Sequence, residues 1–285
     1  MTLPQDPPNL REGSGASDMR GLFANRMRVA FFVLGLVLVL FIAWPLLRTL
    51  TASNPAVLWE TVMDEEVRAS ILLTFGASLV ATVIAFITGV PLAYLLARVD
   101  FPGKPLVEGI IDIPIVVPHS AAGIALLMAF GRRTLLGQAF GLFGITFVSA
   151  IPGIIIAMLF VSLSFLVNGA REGFEAVEPR LERVARTLGA SPWRAFWRVS
   201  FPLAWRGILS GMILMWARGL SEFGAIIIIA YHPMVAPVLL YERFESFGLT
   251  YSRPVAALMI LICLATFVVL RTTADGRGSR KRQRA

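Results

Sequence analysis

The 285-residue chain is 56% hydrophobic and only 15% charged, against roughly 25% charged residues in an ordinary soluble domain. Its net charge of +8 comes from basic residues lying between and beside long apolar blocks, which suits membrane topology and excludes a nucleic-acid-binding reading. One cysteine, Cys263, and two histidines, His119 and His232, exclude an intrachain disulfide framework and leave little material for a metal centre, so no metal site is expected.

Residues 1–26 are polar and rich in Pro, Gly and Ser, and are expected to form a disordered cytoplasmic extension. The apolar run that follows is too long for a signal-peptide core and lacks a small-residue cleavage site. Six spans are expected, near 27–47, 71–96, 106–130, 148–167, 208–230 and 255–270, because a hydrocarbon core of about 30 Å needs roughly 20 helical residues. The fold class is therefore an all-α polytopic bundle. A membrane domain covers 27–271 and a basic cytoplasmic tail covers 272–285. With the N-terminus inside, nineteen of the 26 basic residues fall in inside segments and six outside, which predicts both termini in the cytoplasm of a multi-pass inner-membrane protein. Arg132 and Arg133 are the local exception.

Within the spans, Ala77, Ala81, Ala85 and Gly89 recur every fourth residue, and Gly207, Gly211 and Gly219 are similarly placed on the fifth span. Such small-residue stripes let helices approach closely in lipid. The third span carries Pro114 and Pro118, and each removes a helical donor. Either the span is kinked and packed, or it lines a cavity where irregular backbone is tolerated.

The longest inside loop, Asn168 to Arg206, has its own pattern. Leu181, Val184, Ala185 and Leu188 share one helical face, with charges on the others. Gly189 stands where a residue of positive φ ends a helix, and Ser191-Pro192 supplies an N-cap with Pro at N1. Trp193, Phe196 and Trp197 line a second short helix, which Pro202 is expected to end. A cytoplasmic helix–turn–helix over about 172–202 follows.

The stretch from Glu182 through Arg183, Val184, Ala185, Gly189, Ser191, Pro192 and Trp193, closing at Val199, Phe201 and Pro202, resembles the EAA loop of ABC importer permeases. Ala185, Gly189 and Pro202 match the motif outright. Arg183 stands where the motif has Glu, with Glu182 one place earlier. The resemblance implies that this loop docks on a cytoplasmic ABC ATPase, present in two copies, and couples it to alternating access. The chain has no G-x-x-x-x-G-K-[ST] stretch, so no cofactor is expected on it, and ATP and Mg are expected on the partner.

A narrower resemblance, to the molybdate/tungstate permease family, rests on Ile113 to Ser120, on Trp216 to Gly224 and on Tyr231 to Pro237 with Tyr241 to Phe244. It implies import of a tetrahedral oxyanion by a permease homodimer, two ATPases and an extracytoplasmic binding protein, with sulfate/thiosulfate permeases as close relatives. Arg218 and Glu222 lie four apart on one face, either as a buried structural pair or as a transient positive site for a dianion. Ser221 lies between them. Asp112 is either a path residue or a first-turn acid facing the helix dipole, and His119, beside Pro118, either packs or gates. From a different class, an ion-coupled secondary transporter would show paired repeats with broken helices near the midplane, and only one interrupted span is evident.

Overall fold

A computed structural model describes the backbone of residues 14–282 and the side chains of residues 27–268. Among the described residues it is helical and contains no strand. The chain divides into two compact units, residues 1–54 and 55–285. The first holds α1 (Ser14–Thr51), whose apolar stretch Met27–Thr51 is long enough to span a membrane. Its backbone is already helical at Ser14, so the extension expected to be disordered is helical over 14–26, and residues 1–13 lie outside the described residues.

The second unit opens with α2 (Pro55–Met63) and α3 (Glu65–Arg98). Asp64 caps α3 by accepting hydrogen bonds from the Glu66 and Val67 amides, and Glu65 and Glu66 add negative charge at the helix's positive end. The Ala77, Ala81, Ala85 and Gly89 stripe is buried, as the spacing predicts. It packs within a core shared by α3, α7 (Ile151–Glu175) and α10 (Phe201–Leu220). Where α7 crosses α10, glycine meets glycine. A Cβ on Gly207 would lie 2.5 Å from the Gly173 Cα, and one on Gly169 would lie 2.8 Å from the Gly211 Cα. Only residues without side chains permit this approach, which replaces side-chain packing by direct backbone contact.

The third span is a broken pair, α4 (Lys104–Val116) and α5 (His119–Phe130), bent by 117°. The two prolines act differently. Pro114 is buried inside α4, whereas Val117 is extended (φ −65°, ψ 131°) and Pro118 becomes the N-cap of α5. A residue before proline is pushed out of the helical region, and here that push divides the span.

Two further boundaries depart from expectation. The fourth span continues to Glu175, so the loop expected from Asn168 begins only at Ala176. The fifth begins much earlier than residue 208. α8 (Pro179–Thr187) leads through Gly189 to α9 (Pro192–Ala195), which runs through a π-helical turn at Phe196–Ser200 directly into α10. Pro202 therefore does not end the second loop helix. It lacks the N–H that would bond back into the preceding turn, and that turn widens to let the Phe201 amide reach the Phe196 carbonyl. At its other end the fifth span stops at Leu220 instead of residue 230, and the chain turns through Ser221–Gly224 into α11 (Ile226–Ile229) and α12 (Ala236–Phe247). The Thr74 hydroxyl accepts from the Ala236 amide at 2.8 Å, and Arg243 pairs with Asp64 at 2.6 Å and Glu66 at 2.9 Å, tying α12 to the start of α3.

α6 (Leu135–Gly141) lies in the connection between α5 and α7. α13 (Leu249–Arg282) carries the last span through Val268, and the expected basic tail falls on residues whose side chains are not described. Among the described residues, five helices are long and apolar enough to cross a membrane, and the bent pair makes a sixth.

Candidate functional site

Most residues singled out from sequence fall into two places, one at each end of the continuous helix Pro192–Leu220. At the first end, α8 and α9 form the expected helix–turn–helix. Gly189 has φ +88°, and a Cβ there would meet nothing within 4 Å, so the turn needs glycine for its backbone and not for space. The Ser191 hydroxyl accepts from the Arg194 amide at 3.3 Å, and Pro192 takes N1. Glu182 faces inward. Arg98 Nε donates to it at 2.7 Å and the Tyr94 hydroxyl at 2.9 Å, while a second Arg98 nitrogen donates to the Val177 carbonyl. Burial pushes the Glu182 carboxyl up, but the hydrogen bonds and charge of Arg98, with the Tyr94 hydroxyl, outweigh it and hold the pKa below its ordinary value. Behind this anchor, Tyr94 stacks edge-on against Phe174 and Phe196. Arg183 is exposed, and Ala185 is half-buried and accepts from the Ala190 amide. Leu181, Val184, Leu188, Trp193 and Trp197 are exposed together, Trp193 by 70% and Leu188 by 83%. An element pinned on one side by a part-buried ion pair thus presents an apolar face outward on the other.

At the far end, three chain interruptions converge: the start of α5, the end of α10 and the start of α11. A Cβ on Gly224 would lie 2.7 Å from the His119 Cβ, and one on Gly123 would lie 2.8 Å from the Ala225 carbonyl oxygen, so glycines again let the broken segments touch. Glu222 is fully buried. One of its oxygens accepts from the Ala225 amide at 2.8 Å, and the other lies 2.7 Å from His119 Nδ1 and 3.2 Å from Arg218. Arg218 also reaches His119 Nε2 at 2.6 Å and Ser221 Oγ at 3.4 Å. A carboxylate only accepts and a guanidinium only donates. The imidazole stands between them, with Arg218 within hydrogen-bond distance of both of its ring nitrogens and Glu222 within reach of Nδ1. Pro118, Ser120 and Ser221 leave the outer side of this cluster exposed.

Sequence spacing paired Arg218 with Glu222 but gave no sign that His119, 99 residues earlier, completes the set. Pro114 lies apart from it, buried in α4. Asp112 also lies elsewhere, accepting from Asn168 Nδ2 at 2.7 Å, and it stands well inside α4 instead of in a first turn. Arg98 counts in the sequence only as a basic residue of an inside segment, and nothing local marks Tyr94, which falls within the expected second span. The Gly169-x-x-x-Gly173 spacing would have revealed the partner of the Gly207 and Gly211 stripe.

The family described as binding-protein-dependent transport system inner membrane component matches residues 89–277. The molybdate/tungstate transport system permease protein WtpB of Thermococcus kodakarensis is 45% identical over 85% of this chain and 93% of its own length. Its counterpart in Methanocaldococcus jannaschii is 43% identical over 89% of this chain and 99% of its own. The sulfate transport system permease protein CysT of Synechococcus elongatus is 33% identical over 82% of this chain and 86% of its own. In fold, the chain is similar to a bacterial ABC transporter that imports the acidic polysaccharide alginate, with a TM-score of 0.71, 16% identity and coverage of 90% of this chain and 98% of that one. Five to six apolar spans among the described residues, a glycine-hinged helix pair and relatives matched along nearly their whole length give one result: the chain belongs to the family of binding-protein-dependent transport system inner membrane components.

Proposed function

We propose that this chain is the membrane-spanning permease subunit of an ABC importer for molybdate or tungstate. The observation that carries the reading is the 43–46% identity to permeases named for those two ions, against 30–33% to the sulfate permeases. The permease works as a homodimer with two ATPase subunits and receives its ion from an extracytoplasmic binding protein. An alginate importer of the same fold in complex with a periplasmic protein supports that kind of partner. Both termini and the α8–α9 pair face the cytoplasm, where the apolar face of Leu181, Val184, Leu188 and Trp193 docks on the ATPase, which binds ATP and Mg.

At the other end of the helix, Arg218 serves the ion. A dianion in a low-dielectric passage needs compensating charge. Arg218 supplies it, and Glu222 with His119 retains the side chain between transport events. A permanently free guanidinium would trap the ion, and exchange of partners keeps the site shallow.

Uptake of labelled molybdate by the complex in liposomes, competed by tungstate and by sulfate, tests the reading. Competition by sulfate as strong as that by tungstate would replace the substrate assignment with a sulfate permease. Arg218→Gln is expected to keep a folded, ATP-hydrolysing complex with slowed uptake. Loss of folded protein in Arg218→Gln, with transport recovered on adding Glu222→Gln, would instead make the pair structural.

A further inference from the structure

The connection between α5 and α7 is a folded hairpin that neither the coupling loop nor the Arg218 cluster uses. The Thr134 hydroxyl bonds the Ala129 and Gly131 carbonyls and accepts from the Gly137 amide. Phe130, Phe140 and Phe147 form a ring triangle with centroid separations of 6.4, 4.9 and 5.2 Å. The Ser149 amide donates to the Ile229 carbonyl, tying the hairpin to α11. This defined element nevertheless turns large apolar side chains outward: Leu135, Leu142 and Phe143 are 88%, 87% and 82% exposed.

The charge in this stretch is one-sided. From Ile113 to Ala170 the only Lys, Arg, Asp or Glu residues are Arg132 and Arg133, both exposed and neither paired with a carboxylate among the described residues. These are also the arginines that break the basic asymmetry of the loops. α5 ends at Phe130 and α7, apolar and long enough to cross a membrane, begins at Ile151, so the hairpin adjoins the end of a candidate span.

We propose that this hairpin is an interfacial membrane anchor whose partner is phospholipid. Leu135, Leu142 and Phe143 enter the boundary of the acyl chains, and Arg132 and Arg133 bind headgroup phosphates. Guanidiniums match phosphate oxygens with paired donors, and an apolar tip with basic residues at its base has the composition of elements that lie in the interface. A protein partner would have to supply both an apolar pocket and acids for two unpaired arginines, whereas a phospholipid surface presents both chemistries in that order. The inference rests on the membrane-spanning fold alone and stands whichever oxyanion is carried.

The test uses the full chain in liposomes with Cys263→Ser, because Cys263 is exposed. A single cysteine replaces Leu142 and carries an NBD fluorophore. Doxyl-labelled phosphatidylcholine reports lipid contact and iodide reports water. Lipid quenching with loss of iodide quenching is expected, and the reverse is expected for a label at the exposed Glu65. Iodide quenching at Leu142 without lipid quenching, or shielding from both quenchers, would overturn the proposal in favour of a solvated tip or a protein-covered one. With phosphatidylglycerol present, Arg132→Gln and Arg133→Gln together are expected to raise iodide access at the Leu142 label, by at most about fivefold per arginine removed. An unchanged value would overturn the role of the arginines.

Discussion

Glu182→Gln offers a direct test of how α8 is held. The Glu182 and Arg98 side chains are 14% and 11% exposed, so their 2.7 Å contact is mostly shielded from water. Removing one partner of a fully buried pair costs about 3–5 kcal/mol, and an exposed pair contributes about 1 kcal/mol at most. This pair lies between those limits. The residual exposure and the bond that Arg98 keeps to the Val177 carbonyl lower the cost to about 2 kcal/mol. That corresponds to roughly a thirtyfold shift in the population of the docked helix. Hydrogen exchange at the amides of residues 183–188 is expected to accelerate by up to that factor. The complex is expected to go on hydrolysing ATP while importing fewer ions per ATP. Unchanged exchange together with unchanged ions per ATP would refute the anchoring argument.

Gly189→Val places a β-branched residue at φ +88°, and it is expected to leave membrane insertion intact while weakening ATPase association or uncoupling hydrolysis from uptake. Gly207→Leu is expected to abolish folded protein in a detergent stability assay, because its Cβ would already lie 2.5 Å from the Gly173 Cα and the two backbones cannot part without losing the α7–α10 crossing. Acid also acts on the anchor. The Glu182 pKa is depressed on folding, so its contribution is complete above the ordinary value of 4.5 and is lost as pH falls through the lowered value. Protection of α8 is therefore expected to be flat from pH 7 to pH 5 and to decline below pH 4.5, and a decline of equal size in Glu182→Gln would rule Glu182 out as the cause. In a Cys263→Ser background, an impermeant thiol reagent added outside is expected to label a cysteine at Glu65 and to spare one at Ser279, with the reverse pattern contradicting the proposed orientation.

Local pattern was enough to read the spans, the α3 stripe and the Gly189 turn, because each depends on residues within a few positions of one another. The departures at the third and fifth spans involve proline or contacts distant in sequence. Pro114 and Pro118 look alike in the chain, yet only the second breaks the helix, because α4 accommodates Pro114 in its packed interior. Pro202 carried a stop signal that a widened turn absorbs. Apolar residues resume after Ser221 and Glu222 and run through Ile226–Ile229, so hydropathy alone carries the span past the end of α10 at Leu220. What breaks the fifth span is Glu222, which turns back to cap α11 and meets His119 from another helix. That second interruption also removes the contrast with secondary transporters that sequence had offered. Descent, and not broken helices, separates the two classes here.

The glycine contact between α7 and α10 has a mechanical consequence. Trp193 and Arg218 stand on one continuous helical rod that passes through the π-helical turn at Phe196–Ser200, about 38 Å apart at 1.5 Å per residue. Because α7 is seated backbone to backbone against that rod, neither helix can slide without the other. A displacement at the tryptophan end therefore carries both as one rigid lever, with no compliant layer of side chains between them to absorb the stroke. The compliant joint then lies outside the pair, at Val117–Pro118, where the broken third span meets the arginine end of the lever.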